Sequence, residues 1–167
     1  RELSPPPHPS GGPFVILPGD GANPSATFAS LQDAVAAARS GDTIEIRGNG
    51  PFVCAPADAG TKALCIRAGD GFRPVLNGGK QNNWTLSSKG PLVLEGLDMQ
   101  REAAEGNTLG NVMVEDRPVR FTHCRFFAAG HQPNVLLRRV PVAEIQYSVF
   151  MASKWGGLSG TGRKGGA

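Results

Sequence analysis

Asp98, His123, Arg125 and Tyr147 are the residues whose types could do chemistry together. A histidine can take or give a proton near neutral pH, and an arginine can neutralise a substrate carboxylate while a carboxylate partner orients it. The four are widely separated, so they could meet only if the chain returns to the same place at regular intervals. His131, in the loop "AAGHQPN", is a further candidate base, whereas His8 sits in the proline-rich "RELSPPPHPSGGP" and reads as part of a linker. Trp84, in "NNWTLSS", and Trp155, amid glycines, could stack on sugar rings. The plainer readings are half-buried packing for Trp84, and a tail residue or an anchor into a neighbouring copy for Trp155.

Cofactor chemistry finds little support. Cys54, Cys65 and Cys124 are too few for a disulfide scaffold and lack metal-ligand spacing. Cys54 and Cys65 either bridge neighbouring strands or stay free and buried, as thiols commonly do. "GDGAN" and "GGLSGTG" are not followed by Lys-Ser/Thr opening a helix, and so are not phosphate loops. No metal site and no cofactor are expected.

The elements that must position these residues are short. The chain has 167 residues with 23 glycines and 14 prolines, 40% hydrophobic residues and a formal charge of +3. That is enough for one domain with a real core. No basic run is dense enough for a nucleic-acid footprint, and no apolar stretch approaches the roughly 20 residues of a membrane span. Three parts are expected: a Pro-rich linker over 1–13, a folded body over 14–152 and a Gly-rich tail over 153–167. Phe14 to Leu17 reads as a strand followed by a turn-rich loop.

One helix follows, at about 30–40. Ser30 is its expected N-cap, with Asp33 three residues on in a capping-box arrangement, and Gly41 its expected left-handed stop. Leu31, Ala34, Val35 and Ala38 share one face. So short a helix cannot hold itself together, and its stripe must cover something.

After Asp42 the pattern alternates, as in "TIEIRG", "LCIRAG", "LVLEGL", "VRFTHC" and "AEIQYS". These strands begin at 44, 64, 92, 119 and 143, a spacing that signals a repeat architecture. The inward sets are Leu92, Leu94, Leu97, Met99, then Val119, Phe121, Cys124, Phe126, then Ala143, Ile145, Ser148, Phe150. The phase slips once per repeat, at Gly96, His123 and Tyr147. A slip at one fixed place is a corner, so the chain coils instead of forming hairpins. A coil that returns lies about 4.8 Å above its previous turn. Leu94, Phe121 and Ile145 then form one column, and three outward rows follow: Val93, Arg120, Glu144; Glu95, Thr122, Gln146; and Asp98, Arg125, Val149. The helix is the expected cap on the first coil, because an open sheet end recruits other chains.

"FASLQDAVAAARSGDTIEIRGNGPFV", "ALCIRAGDGFRPVLNGG" and "GPLVLEGLDM" together resemble the start of a right-handed parallel β-helix of the pectate-lyase-like superfamily. The resemblance covers about residues 14 to 150. It implies an all-β solenoid of about five coils and three short sheets, with an N-terminal capping helix. "GDGANPSATFASLQ" is also similar to the opening of polysaccharide-lyase-like members. Comparable modules occur in large multidomain bacterial proteins, for which an extracellular or cell-surface setting is favoured. Catalytic members are longer, and no second capping motif is read here, so the solenoid either continues in further sequence or has its open end covered by another copy.

Three functions follow as expectations. The leading one is a non-catalytic module of a larger bacterial protein, offering a rigid surface to glycan or protein. The second is a truncated polysaccharide lyase or hydrolase, with Ca2+ as its only implied cofactor; no set of three carboxylates emerges to hold that ion. The third is a structural module that self-associates through its uncapped C-terminal end. Asp98 beside Arg125 serves the lyase reading as a cleft pair. Its plainer reading is a cross-strand ion pair worth under about 1 kcal/mol, and the same holds for Arg120 beside Glu144.

Overall fold

The computed structural model describes residues 11–19, 26–102, 109–128, 133–151 and 158–161. His8, His131 and Trp155 lie outside the described residues.

The chain opens with two strands, β1 (Phe14–Leu17) and β2 (Ala26–Phe28), and one helix, α1 (Leu31–Ala37). The Ser30 hydroxyl accepts from the Asp33 backbone N–H at 3.1 Å and donates to the Asp33 carboxylate at 2.7 Å, so the expected N-cap forms. Leu31, Ala34, Val35 and Ala38 are all buried. The expected stop does not form. Ala38 is already extended, and Gly41, at φ +95°, lies beyond the helix in a separate turn. The Asp42 carboxylate causes this by accepting from the Arg39 and Gly19 backbone N–H groups, at 2.7 and 3.1 Å, which draws the chain out of the helix. The orphan carbonyl of Val35 is met instead by the Lys62 ammonium at 2.5 Å, a cation placed at the helix C-terminus.

Three strands then make each coil. The first coil is β3 (Thr43–Ile46), β4 (Phe52–Val53) and β5 (Ala57–Asp58). The second is β6 (Leu64–Ala68), β7 (Val75–Asn77) and β8 (Leu86–Ser88). The third is β9 (Leu92–Glu95), β10 (Asp98–Arg101) and β11 (Val112–Glu115). The fourth is β12 (Val119–Thr122), β13 (Arg125–Ala128) and β14 (Val135–Arg138). The last is β15 (Ala143–Gln146), β16 (Val149–Met151) and β17 (Leu158–Thr161). Like strands pair in parallel, giving three sheets: β3-β6-β9-β12-β15, β4-β7-β10-β13-β16 and β5-β8-β11-β14-β17. We call them sheets A, B and C. The chain is thus a parallel β-helix that returns on itself about four times.

The register matches the sequence reading. Ile44, Ile66, Leu94, Phe121 and Ile145 are successive partners in sheet A, and the expected column runs the full depth of the solenoid. Phe52, Leu76, Met99, Phe126 and Phe150 form the matching column in sheet B. The inward sets of the third and fourth coils are buried throughout, while Ala143 is exposed and Ile145 and Phe150 are only half-buried. Polar ladders hold the turn from B to C. Asn111 donates to Phe127 O at 3.0 Å and to Asn134 Oδ1 at 3.1 Å, and Asn134 donates to Met151 O at 2.6 Å. Both amides are fully buried, and their N–H groups are paired, whereas Asn111 Oδ1 finds no donor among the described residues, a cost of about 1–3 kcal/mol.

The cap is more than the helix. β1 lies antiparallel on β3, and β2 antiparallel on β1, so sheet A is closed at its first edge by a strand pair. α1 packs on β5 at the head of sheet C, and Phe14 meets Phe52 edge to face at 5.3 Å at the head of sheet B. Sheets A and C are therefore covered at this end, while in sheet B the cap reaches only the inward ring of Phe52 on β4.

Candidate functional site

The corner from sheet A to sheet B positions all four of the candidate residues. Gly96, His123 and Tyr147 hold the same place in three successive coils, with φ of 70°, 53° and 50°. Glycine adopts that left-handed conformation freely, and other residues at a cost of order 1–2 kcal/mol. His123 and Tyr147 therefore carry backbone strain that the ladder bonds on either side must hold, as when the His123 N–H donates to Gln146 O at 3.0 Å. Their side chains project outward. The two rings stack with centroids 4.9 Å apart and planes inclined by 14°, and Tyr147 is 79% exposed.

Two residues past each corner stands the first residue of a sheet B strand, so Asp98, Arg125 and Val149 align as expected. Asp98 is nonetheless buried, at 6% exposure, because two guanidinium groups cover it. Arg125 grips both carboxylate oxygens, through Nε to Oδ1 at 2.7 Å and Nη2 to Oδ2. Arg73, from the coil before, donates to Oδ1 through Nε at 3.0 Å and Nη2 at 2.8 Å. Burial pushes the Asp98 carboxyl up, but the hydrogen bonds and charges of Arg125 and Arg73 outweigh it, and the net shift is downward. The cluster carries one surplus positive charge on two half-exposed guanidinium groups.

Asp98 is thus locked as a carboxylate and its lone pairs are occupied, which unfits it as a base. What the edge offers is recognition: an aromatic step at the corner beside guanidinium donors. Such a surface suits a ligand with a flat apolar face and oxygen acceptors.

Other predicted groups are placed elsewhere. Trp84 is buried and packs in the interior, so it presents no face to a sugar. The three cysteines are free, which settles Cys54 and Cys65 as unbridged. Burial pushes the Cys54 thiol up to about 12 and raises Cys65 and Cys124 too, so none is an activated nucleophile. Arg120 and Glu144 pair at 2.7 Å on the outer face of sheet A, both half-exposed. Among the described residues, no three His, Cys, Asp or Glu side chains come together as a metal site, and no helix is long and apolar enough to cross a membrane.

Two arginines escaped the sequence reading. Arg73 is absent from the outward rows because it reaches across from the turn before β7. Arg101, 6% exposed, finds no carboxylate among the described residues. It donates to the carbonyls of Gln81 and Asn83, and at 3.3 Å to Gly110 O and the Thr85 hydroxyl. Burial lowers its pKa, and it fastens the 81–85 turn to the third coil. The signal for it was faint: an arginine in phase with the inward Met99 at the end of β10.

No family model matches the chain, and neither a curated protein nor a solved structure matches it.

Proposed function

We propose that this chain is a non-catalytic β-helix module, of the pectate-lyase-like kind found in large multidomain bacterial proteins, whose corner between sheets A and B is a rigid contact surface for a glycan. One observation carries this reading: the exposed His123–Tyr147 stack stands beside the Arg73–Asp98–Arg125 ladder on a backbone fixed by coil stacking. A pyranose ring can lie on the aromatic step while its oxygens accept from the guanidinium groups. Rigidity favours binding because little side-chain freedom is lost on contact. The reading favours contact over catalysis because the carboxylate at this edge is held by two arginines and is unfit as a base.

The test pairs binding with turnover. Titration calorimetry with uronic-acid and neutral oligosaccharides should show binding that Tyr147→Ala abolishes and Arg125→Ala weakens at least about tenfold. Incubation with pectate, alginate and glycosaminoglycans, with and without Ca2+, should release no shortened chains. Turnover that Arg125→Ala abolishes at unchanged stability would replace this reading with the lyase one. Binding to a protein ligand through the same corner, with no affinity for any glycan, would replace the ligand class.

A further inference from the structure

The corner from sheet A to sheet B has a gap in it. Gly96 is aligned with Ala68 in the coil before and with His123 in the coil after. A Cβ at Gly96 would meet, beyond its chain neighbours, one atom within 4 Å: the Cβ of Ala68, at 3.1 Å. His123 and Tyr147 fill the corresponding place in the two coils that follow. Ala68 and His123 stand two coil spacings apart, about 9.6 Å.

One wall of the gap is a ring. His123 is exposed, and Tyr147 covers one face of its imidazole at a centroid distance of 4.9 Å. Tyr147 belongs to the coil after His123, so the other face is turned toward Gly96. Among the described residues that face meets no ring, and the imidazole nitrogens meet no hydrogen-bond partner. Stacked rings keep their centroids at least about 4.5 Å apart. About 9.6 Å between the walls therefore admits one further ring and not two.

Charge sets what that ring carries. Asp98 follows Gly96 by two residues, and Arg73 and Arg125 cover it from the coils on either side. Each guanidinium gives Nε and Nη2 to the carboxylate. Nη1 of each has no acceptor among the described residues, and both side chains are half-exposed. The end of the gap thus presents the charge-assisted donors that Asp98 leaves over, on a cluster with one positive charge in surplus.

We propose that this gap is a binding subsite for a single six-membered ring carrying a carboxylate or sulfate group, and that Gly96 sets its size. The ring stands where the His123–Tyr147 column lacks a third member and stacks on the open face of His123. Its anionic group accepts from Nη1 of Arg73 and Arg125. The inference rests on the corner being the contact surface, and adds where the ligand sits and which charge it bears. A side chain at position 96 fills the same space, which makes the glycine a determinant of specificity as well as of the turn.

Nuclear magnetic resonance titration of the whole chain, read at the His123 ring protons, tests this with glucuronate, a sulfated glucose, glucose and benzoate as probes. The charged probes should shift those protons, and glucose should bind at least about tenfold more weakly. Gly96→Asn keeps a residue that tolerates left-handed backbone and fills the gap. It should weaken every charged probe at least about tenfold with the melting temperature little changed. Arg73→Gln leaves the Arg125–Asp98 pair in place and should weaken the charged probes but not glucose. Either charged sugar binding without the other supports the subsite and names its anionic group. Charged probes indifferent to Gly96→Asn would overturn the subsite while leaving the glycan reading intact, as would equal affinity for glucose. Benzoate binding that Gly96→Asn removes, with no sugar bound, would uphold the subsite and overturn the glycan reading. Silence from all four probes would overturn the subsite outright.

Discussion

The imidazole of His123 lies almost parallel to the ring of Tyr147, with centroids 4.9 Å apart, although a full coil of chain separates them. The contact exists because both residues turn the same corner in left-handed backbone, at φ of 53° and 50°. The arrangement holds two rings outside on strained backbone, whereas the same corner one coil earlier is turned by Gly96 without that cost.

That strain can be measured. His123→Gly and Tyr147→Gly should leave the melting temperature unchanged or raise it, with up to about 1 kcal/mol gained from relief of the left-handed backbone and partly offset by loss of the stack. His123→Val should lower stability by at least about 1 kcal/mol, because a β-branched residue tolerates positive φ poorly. Chemical denaturation of the three variants checks both expectations.

The Arg73–Asp98–Arg125 ladder makes stability depend on acid. Asp98 and Glu45 each have a carboxyl held below its ordinary value, despite burial that pushes it up, by hydrogen bonds and charges from two arginines. The unfolded chain, with ordinary carboxyls near about pH 4, binds protons first as the pH falls. The contribution is therefore complete above the unfolded value and is lost as the pH drops through the folded one. Asp98→Asn should cost about 1–3 kcal/mol at neutral pH and flatten the acid limb of the stability curve. Denaturant melts between about pH 3 and 7 read both effects.

Core columns should respond more strongly than any surface pair. Phe121 is fully buried between Leu94 and Ile145 and packs its ring 5.2 Å from that of Phe126. Phe121→Ala should destabilise the chain by about 3–5 kcal/mol. Arg120→Ala, which breaks the exposed pair with Glu144, should cost under about 1 kcal/mol.

Much of this architecture is legible in the sequence because stacking makes local alternation and a repeated slip sufficient. Leu94, Phe121 and Ile145 could be set in one column, and Asp98 set beside Arg125, from the phase of three strands alone. Arg73 could not, since a long side chain reaching diagonally from a turn obeys no register. The β1–β2 pair was half visible: "FVIL" reads as a strand, but an isolated apolar run says nothing about the direction of its partner, and Ala26–Phe28 is too short to alternate. The stop of α1 was misplaced because Gly41 fits a left-handed cap in isolation, whereas the Asp42 carboxylate takes the Arg39 N–H. The corner role of His123 and Tyr147 was readable from the phase slip. Their stacking was not, because ring orientation depends on the neighbouring coil.

Register between coils underlies every surface described, and cross-linking measures it most directly. Thr122 and Gln146 are partners in sheet A, about 4.8 Å apart at Cα and so within disulfide range. Thr122→Cys with Gln146→Cys should oxidise readily to an intramolecular disulfide, while Thr122→Cys with Glu144→Cys, about 8 Å apart, should not. Equal yields from the two pairs, or a preference for the second, would contradict the stacked coil.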